Sequence, residues 1–265
     1  MLPEKTIHDM KKYLKDMVIT QVEFLRDDYV LLSLSDPSGE MPECLPGQFV
    51  QLAVEGEPKV MLRRPISINW CDAETNRLDL LIHLVGPGTR ALARLRQGDT
   101  LSTLFPLGNG FTIHTAGDIL LVGGGVGTAP MLQYGKALLK AGARPHFLLG
   151  GRSAKDILQL ERFRELGEVS VTTEDATLGE RGFVTQHSIL GAKHFDAAAA
   201  CGPKPMMRAV ALWARQAGVP CEVSLENMMA CGLGACLCCV EKTVRGNVCV
   251  CTEGPVFPTT ELTWF

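Results

Sequence analysis

Six of the ten cysteines in this 265-residue chain lie between positions 231 and 251. In the stretch ACGLGACLCCV, Cys231, Cys236 and Cys239 are spaced C-x4-C-x2-C, and Cys251 follows further on. This is the plant-type spacing for a [2Fe–2S] cluster held by four thiolates. A two-iron cluster is small, so one loop can wrap it and supply three ligands if the backbone stays close. Gly232 and Gly234 allow backbone conformations that a Cβ would forbid. Ala235 is too small to crowd the sulfides, and loop amides can point at the sulfurs and stabilise their negative charge. A zinc site would normally pair two CxxC-type units, which the x4 gap does not match. Crowded cysteines without a secretion signal do not read as a disulfide framework. Cys236 with Cys239 satisfies the x2 gap, whereas Cys238 does not. Spacing leaves Cys249 and Cys251 as alternatives for the fourth ligand. A chain with such a cluster handles electrons one at a time.

Other motifs suit phosphate and nucleotide. LRRPISI, Leu62–Ile68, carries Arg64 and Ser67 on a strand. The arginine can hold a pyrophosphate through two parallel N–H bonds, and the serine can donate to a flavin ring atom. Taken alone, Arg-x-x-Ser is common, and an exposed strand arginine is usually just solvated. GPGT, Gly86–Thr89, precedes a short helix, so it is either a phosphate-binding turn or a plain glycine turn with Thr89 as cap. VGGGVGTAP, Val122–Pro130, follows an apolar strand and opens a helix. There Gly124, Gly125, Gly127 and Thr128 let the backbone approach a dinucleotide. It is not GxGxxG and no Walker lysine follows, which disfavours a nucleoside triphosphate. ACGPKP puts Cys201, Gly202 and Pro203 at another strand end, where open α/β sheets bind ligands. Cys201 there either lies over a nicotinamide or is a buried thiol. Asp175 can accept from ribose hydroxyls, favouring NAD, while nearby Arg181 would equally suit a 2′-phosphate.

The elements that position these motifs come in two rhythms. Residues 1–16 read as a short helix or loose arm. Over residues 17–112, short β-type runs (VITQVEFL, YVLLSLS, QFVQLAV, RRPISINW, RLDLLIHLV) are broken by turns, as in a small antiparallel barrel. One helix, Gly88–Arg96, interrupts them. Over residues 113–225, apolar strands alternate with helices at Thr128–Ala141, Lys155–Leu166 and Pro203–Ala217, which predicts a doubly wound parallel sheet. Residues 226–265 form a third, small cysteine module appended after that sheet, too short for a core of its own, so its cluster should help hold it together. The fold class is thus α/β plus β. Net charge −3 and 46% hydrophobic residues fit a globular chain without a basic nucleic-acid surface. No apolar run reaches membrane-spanning length. The mixed charges at the start are not a secretion signal, which predicts a cytoplasmic protein.

Arg-x-x-Ser on a barrel strand, then GGGxGxAP, then a CGP strand end is the pattern of the ferredoxin–NADP reductase superfamily. With ENMMACGLGACLCCV and CTEGPVF added, the chain resembles the electron-transfer subunits of class 1B dihydroorotate dehydrogenases from about Val18 to Phe257. The resemblance implies FAD on Arg64, Pro65, Ile66 and Ser67, on Leu81, Ile82 and His83, and on Gly88 and Thr89. It implies cluster ligands Cys231, Cys236, Cys239 and, through CTEGPVF, Cys251. His83 stands where relatives can carry arginine, so it is given no charge role. The resemblance further implies an FMN-containing catalytic partner, two copies of each subunit, that oxidises dihydroorotate for pyrimidine (UMP) biosynthesis. Electrons would then pass through the cluster and FAD to NAD+. Two alternatives share most of these features: a flavin/iron–sulfur subunit coupling NAD(P)H to ferredoxin or sulfide, and a non-enzymatic flavin redox sensor.

Overall fold

A computed structural model of the chain describes residues 11–264. Most of the arm expected over residues 1–16 lies outside the described residues. Strands β1 (Tyr13–Arg26), β2 (Tyr29–Ser35), β3 (Phe49–Leu52), β4 (Arg64–Asp72), β5 (Arg77–His83) and β6 (Thr100–Leu107) close an antiparallel barrel in the order β1-β2-β5-β4-β3-β6. A short helix, α1 (Pro87–Leu92), connects β5 to β6. Five of these strands follow the alternating pattern expected from the sequence. The sixth, TLSTLFPL, does not read as a strand because Pro106 interrupts a short, half-polar run. Its presence also moves the start of β1. Tyr13 through Val18 pair with Phe105 through Thr100, so residues 13–16 belong to the barrel rather than to an arm.

The second half forms one sheet from β7 (Asp118–Gly124), β8 (Arg144–Gly151), β9 (Glu168–Thr173), β10 (Glu180–Arg181), β11 (Ala197–Cys201) and β12 (Cys221–Ser224), all parallel. Helices α2 (Ala129–Ala141), α3 (Leu160–Arg164), α4 (Ile189–Ala192) and α5 (Lys204–Ala217) connect them. The helix expected over Lys155–Leu166 is broken. Gln159 takes a left-handed φ of 56°, and its amide exchanges hydrogen bonds with Asn69 of the barrel at 3.2 and 3.1 Å. The sheet order β10-β9-β8-β7-β11-β12 reverses direction at β7. The crevice between the ends of β7 and β11 is therefore a topological switch point, the usual ligand position in such sheets. No helix among the described residues is long and apolar enough to cross a membrane.

The cysteine segment is not a free-standing appendage. A hairpin of β13 (Val240–Thr243) and β14 (Gly246–Cys249) leads through α6 (Val250–Glu253) into β15 (Val256–Pro258), which pairs antiparallel with β12 and completes the large sheet. Cys239, Val250, Cys251, Leu262 and Trp264 are buried in the same core as Phe49 and Leu107 of the barrel and Val210 and Ala211 of α5. The segment borrows its core from both halves of the chain.

Candidate functional site

Two cavities meet on the face where the barrel packs against the sheet. The first, about 390 Å³, is lined by Arg64, Pro65, Ile66 and Ser67 of β4, Leu81 and His83 of β5, and Thr89 of α1. Val126 closes it from the glycine turn, and Glu226, Asn227 and Met229 from the start of the cysteine segment. The second, about 640 Å³, is lined by Gly124 and Gly125, Gly150 and Gly151, Glu174, Phe183, Pro203 and Met206. Both volumes are of the size that takes a small-molecule ligand or part of a dinucleotide.

His83 and its ring partner stand at the junction. His83 lines both cavities. It stacks on Tyr29 with ring centroids 4.4 Å apart and planes 3° from parallel. Its Nε2 lies 3.4 Å from Asp28. Arg26 donates to both Asp28 oxygens at 2.5 and 2.6 Å and to Asp156 at 2.5 Å. That guanidinium holds the Asp28 carboxyl down to about 2. A flat aromatic pair fixed by an ion network thus stands where the two cavities meet.

Strand alternation sorts the expected flavin residues. Leu81 and His83 reach the cavity, whereas Ile82 between them is fully buried in the barrel core and does not. Gly88 does not line the cavity but packs under Arg64: a Cβ there would lie 2.5 Å from the arginine Nε. Among the described residues the Arg64 guanidinium makes one long bond, 3.3 Å to the Arg63 carbonyl, and so retains donors for a phosphate.

At the switch point, Gly124 and Gly125 face the second cavity with Pro203, while Gly127 and Thr128 lie behind it. Gly127 packs face to face on the Cys201–Gly202 backbone, and a Cβ would run into the Cys201 carbonyl. Thr128 Oγ1 donates to the Gly125 carbonyl at 3.0 Å and fixes the turn. Gly127→Ala is accordingly expected to cost about 1–3 kcal/mol through overpacking and to weaken nicotinamide-dinucleotide binding. Thermal melts and NADH titration check this; a melt superimposable on that of the parent chain would contradict the packing. Asp175 does not face the cavity. Its carboxylate accepts from Thr177 N and Oγ1 at 3.0 and 2.7 Å, holding a local turn, and its neighbour Glu174 lines the cavity instead.

Cys201 is fully buried, and its thiol donates to Glu226 Oε1 at 3.8 Å. Burial, then the facing carboxylate, pushes the thiol well above its ordinary value. Glu226 lines the first cavity and is exposed as a residue, and desolvation by the protein packed beside its carboxyl raises it. Sequence reasoning assigned no role to Glu226, Tyr29 or Glu174. The ENMMACG motif was the available signal for the first, and nothing local marks the other two.

The cysteine loop folds so that amides meet sulfurs. Gly232 and Gly234 adopt left-handed φ of 72° and 82°, where a side chain is disfavoured. Leu233 N donates to Cys231 Sγ at 3.3 Å, Gly234 N to Cys251 Sγ at 3.2 Å and Cys251 N to Cys239 Sγ at 3.4 Å. The amide of Leu233, assisted by Cys236, brings the Cys231 thiol down to about 6. Burial and the neighbouring Cys239 push Cys251 up to about 12. Among the described residues no three such side chains gather to hold a single metal ion. Side-chain contacts instead link Cys231 with Cys236, and Cys239 with both Cys251 and Cys249. Cys239 and Cys251 are buried, Cys231 and Cys249 half-buried, and Cys236 and Cys238 exposed. Cys249 Sγ donates to the Gly234 carbonyl at 3.8 Å, on the opposite side of that residue from Cys251.

A closed barrel, a parallel sheet with a glycine turn at its switch point, and a cavity between them define the ferredoxin reductase class of oxidoreductases. Two family models match: an oxidoreductase NAD-binding domain over residues 121–211, and the iron–sulfur cluster binding domain of dihydroorotate dehydrogenase B over residues 226–263. The chain is 37% identical over 259 residues to the dihydroorotate dehydrogenase B (NAD(+)) electron transfer subunit of Shouchella clausii, covering 95% of this chain and 98% of that one. It is also 37% identical to the Bacillus mycoides subunit, covering 93% and 96%. The chain belongs to the family of dihydroorotate dehydrogenase B electron-transfer subunits. Among solved structures it resembles a chain of an NADH-dependent reduced ferredoxin–NADP oxidoreductase, with a TM-score of 0.85, 31% identity and coverage of 94% and 90%. A ferredoxin–NADP+ reductase from Neisseria gonorrhoeae shares the fold at a TM-score of 0.61, 17% identity and coverage of 79% and 93%.

Proposed function

We propose that this chain is the electron-transfer subunit of an NAD+-linked dihydroorotate dehydrogenase. It would take electrons from an FMN-containing partner that oxidises dihydroorotate in UMP biosynthesis, in a complex with two copies of each subunit, in the cytoplasm. The observation that carries the reading is the arrangement: two cavities joined at His83, with the start of the cysteine segment, Glu226, Asn227 and Met229, lining the first. FAD exchanges electrons singly or in pairs, a [2Fe–2S] cluster singly and NAD+ only as a hydride, so the flavin belongs between the other two.

The residues divide the work accordingly. Arg64 offers its free donors to a pyrophosphate, and Pro65, Ile66, Ser67, Leu81 and Thr89 shape the wall for a flat ring. Gly124, Gly125 and Pro203 keep the second cavity open for a dinucleotide, while Glu174 faces the position where a ribose hydroxyl would be welcome and a 2′-phosphate would not. Cys231, Cys236, Cys239 and Cys251 are the proposed cluster ligands.

The partner surface follows from exposure. Met228, Leu233, Leu237 and Val240 are 82%, 49%, 64% and 38% exposed and all lie on the cysteine segment. Exposed apolar groups clustered around a redox centre mark a docking face. Leu237→Asp is expected to weaken association with the catalytic subunit at least about tenfold, the loss of one buried anchor. NADH reduction of the flavin should be unchanged. Equal affinity by calorimetry would move the interface elsewhere. The similarity to the ferredoxin–NADP oxidoreductase chain favours one other reading, the same conduit serving a different partner. Anaerobic NADH titration followed by absorbance and low-temperature EPR tests the conduit, and co-purification with an FMN subunit tests the partner. Bleaching of the flavin without a rhombic [2Fe–2S] signal, in iron-containing protein, would defeat the proposal.

A further inference from the structure

Gln51 is fully buried, and neither its amide nitrogen nor its amide oxygen has a hydrogen-bond partner among the described residues. Leaving such a group without partners is costly, and native proteins rarely do so. Gln133, also buried, shows the ordinary arrangement. Its Oε1 accepts from Cys71 N at 2.9 Å and its Nε2 donates to the Cys71 and Cys44 carbonyls.

The position of Gln51 indicates what its partner is. On β3, Val50 and Leu52 fill the barrel. Alternation therefore turns Gln51 outward with Phe49, toward the core that Phe49 shares with Cys239 and Cys251. There it touches the cysteine loop. A Cβ on Gly232 would lie 3.0 Å from Gln51 Cγ and 3.2 Å from its Nε2. Gly232 directly follows Cys231, and its lack of a side chain is what lets the amide come this close. Across the ladder, Gln51 is paired with Pro65, which lines the flavin cavity. The buried, unpartnered Thr172 Oγ1 is a parallel case, since it lines the dinucleotide cavity. Both residues have polar atoms waiting where a ligand is expected.

We infer that Gln51 is a positioning residue of the iron–sulfur centre. Its Nε2 donates a hydrogen bond to a sulfur of the centre held by the Cys231–Cys239 loop. The inference rests on the cluster reading of those cysteines. A donor to sulfur stabilises the reduced, more negative state and so raises the reduction potential. The side chain thereby ties the strand under the flavin to the cluster loop.

The test is an EPR-monitored redox titration of the full chain carrying both cofactors, comparing the parent with Gln51→Leu and Gln51→Met. At the parent midpoint, the oxidised-to-reduced ratio of the cluster is expected to rise about tenfold in each variant, about 59 mV lower for a one-electron couple. The flavin midpoint should stay in place. A cluster midpoint unmoved in both variants, or a shift confined to the flavin, overturns the inference. A variant that takes up no cluster leaves the decision to the parent chain labelled with 15N in its glutamine side chains. Pulsed EPR of the reduced cluster should then show a 15N coupling, and its absence overturns the inference too. If the parent gives no [2Fe–2S] signal at all, the cysteine reading fails instead, so the two failures are distinguishable.

Discussion

Cys251→Ser is expected to abolish the [2Fe–2S] EPR signal and, in the assembled complex, dihydroorotate-driven NAD+ reduction. NADH should still bleach the flavin, because Cys251 lines neither cavity. Two observations single out this cysteine over Cys249. Cys251 is buried beside Cys239 and takes the Gly234 amide on its sulfur, whereas Cys249 is half-buried and donates weakly to the Gly234 carbonyl. A thiolate in a cluster needs N–H donors, not a carbonyl facing it. Cys249→Ser and Cys238→Ser should therefore retain the signal. Because metal binding is coupled to folding, Cys251→Ser should also lower the melting temperature, an effect that Cys238→Ser, on an exposed residue, should not share. Iron analysis, EPR and melts on the three variants decide the matter. A cluster lost in Cys249→Ser and kept in Cys251→Ser would reverse the assignment.

The cysteine site was legible because three of its proposed ligands are local in sequence, so their spacing carries the geometry directly. The barrel and sheet were legible where period and element agree. What failed to read was set by partners distant in the chain. TLSTLFPL is a strand because residues 13–18 and β3 flank it, not because of its own pattern. Ile82 and Asp175 show a subtler limit. A motif locates a strand or its end, but which of two adjacent side chains faces the ligand depends on the pleat, and a step of one residue reverses the face. Hence Leu81 and His83 flank the cavity without Ile82, and Glu174 replaces Asp175. Tyr29 carries no motif, and its place beside His83 follows only from the pairing of β2 with β5.

The second large effect concerns Glu226, the one carboxylate among the residues lining the flavin cavity. Cys201 and Glu226 come from the end of β11 and from just beyond β12, neighbouring strands, and bring a buried thiol and a raised carboxyl to the edge of the crevice between the two cavities. A carboxyl that stays protonated closer to neutrality can give and recover a proton as the charge of a bound ring changes. Glu226→Gln keeps the shape and the contact with Cys201 but cannot ionise. Removing a positioned acid–base group typically slows a step by about 10²–10⁴-fold. Stopped-flow reduction of the flavin by NADH is expected to slow within that range, with little change in NADH affinity. The stability consequence has a definite sign. Because the folded-state value is raised above the ordinary 4.5, the parent has this contribution in full below that pH. It loses it as pH rises through the folded value, where the ion must form with part of its hydration removed. The glutamine variant does not titrate. Its melting temperature relative to the parent should therefore improve as pH rises from 4.5 through the folded value and then level off, in FAD-loaded protein. Melts that run parallel across that range, together with an unchanged reduction rate, would remove Glu226 from any role in the site.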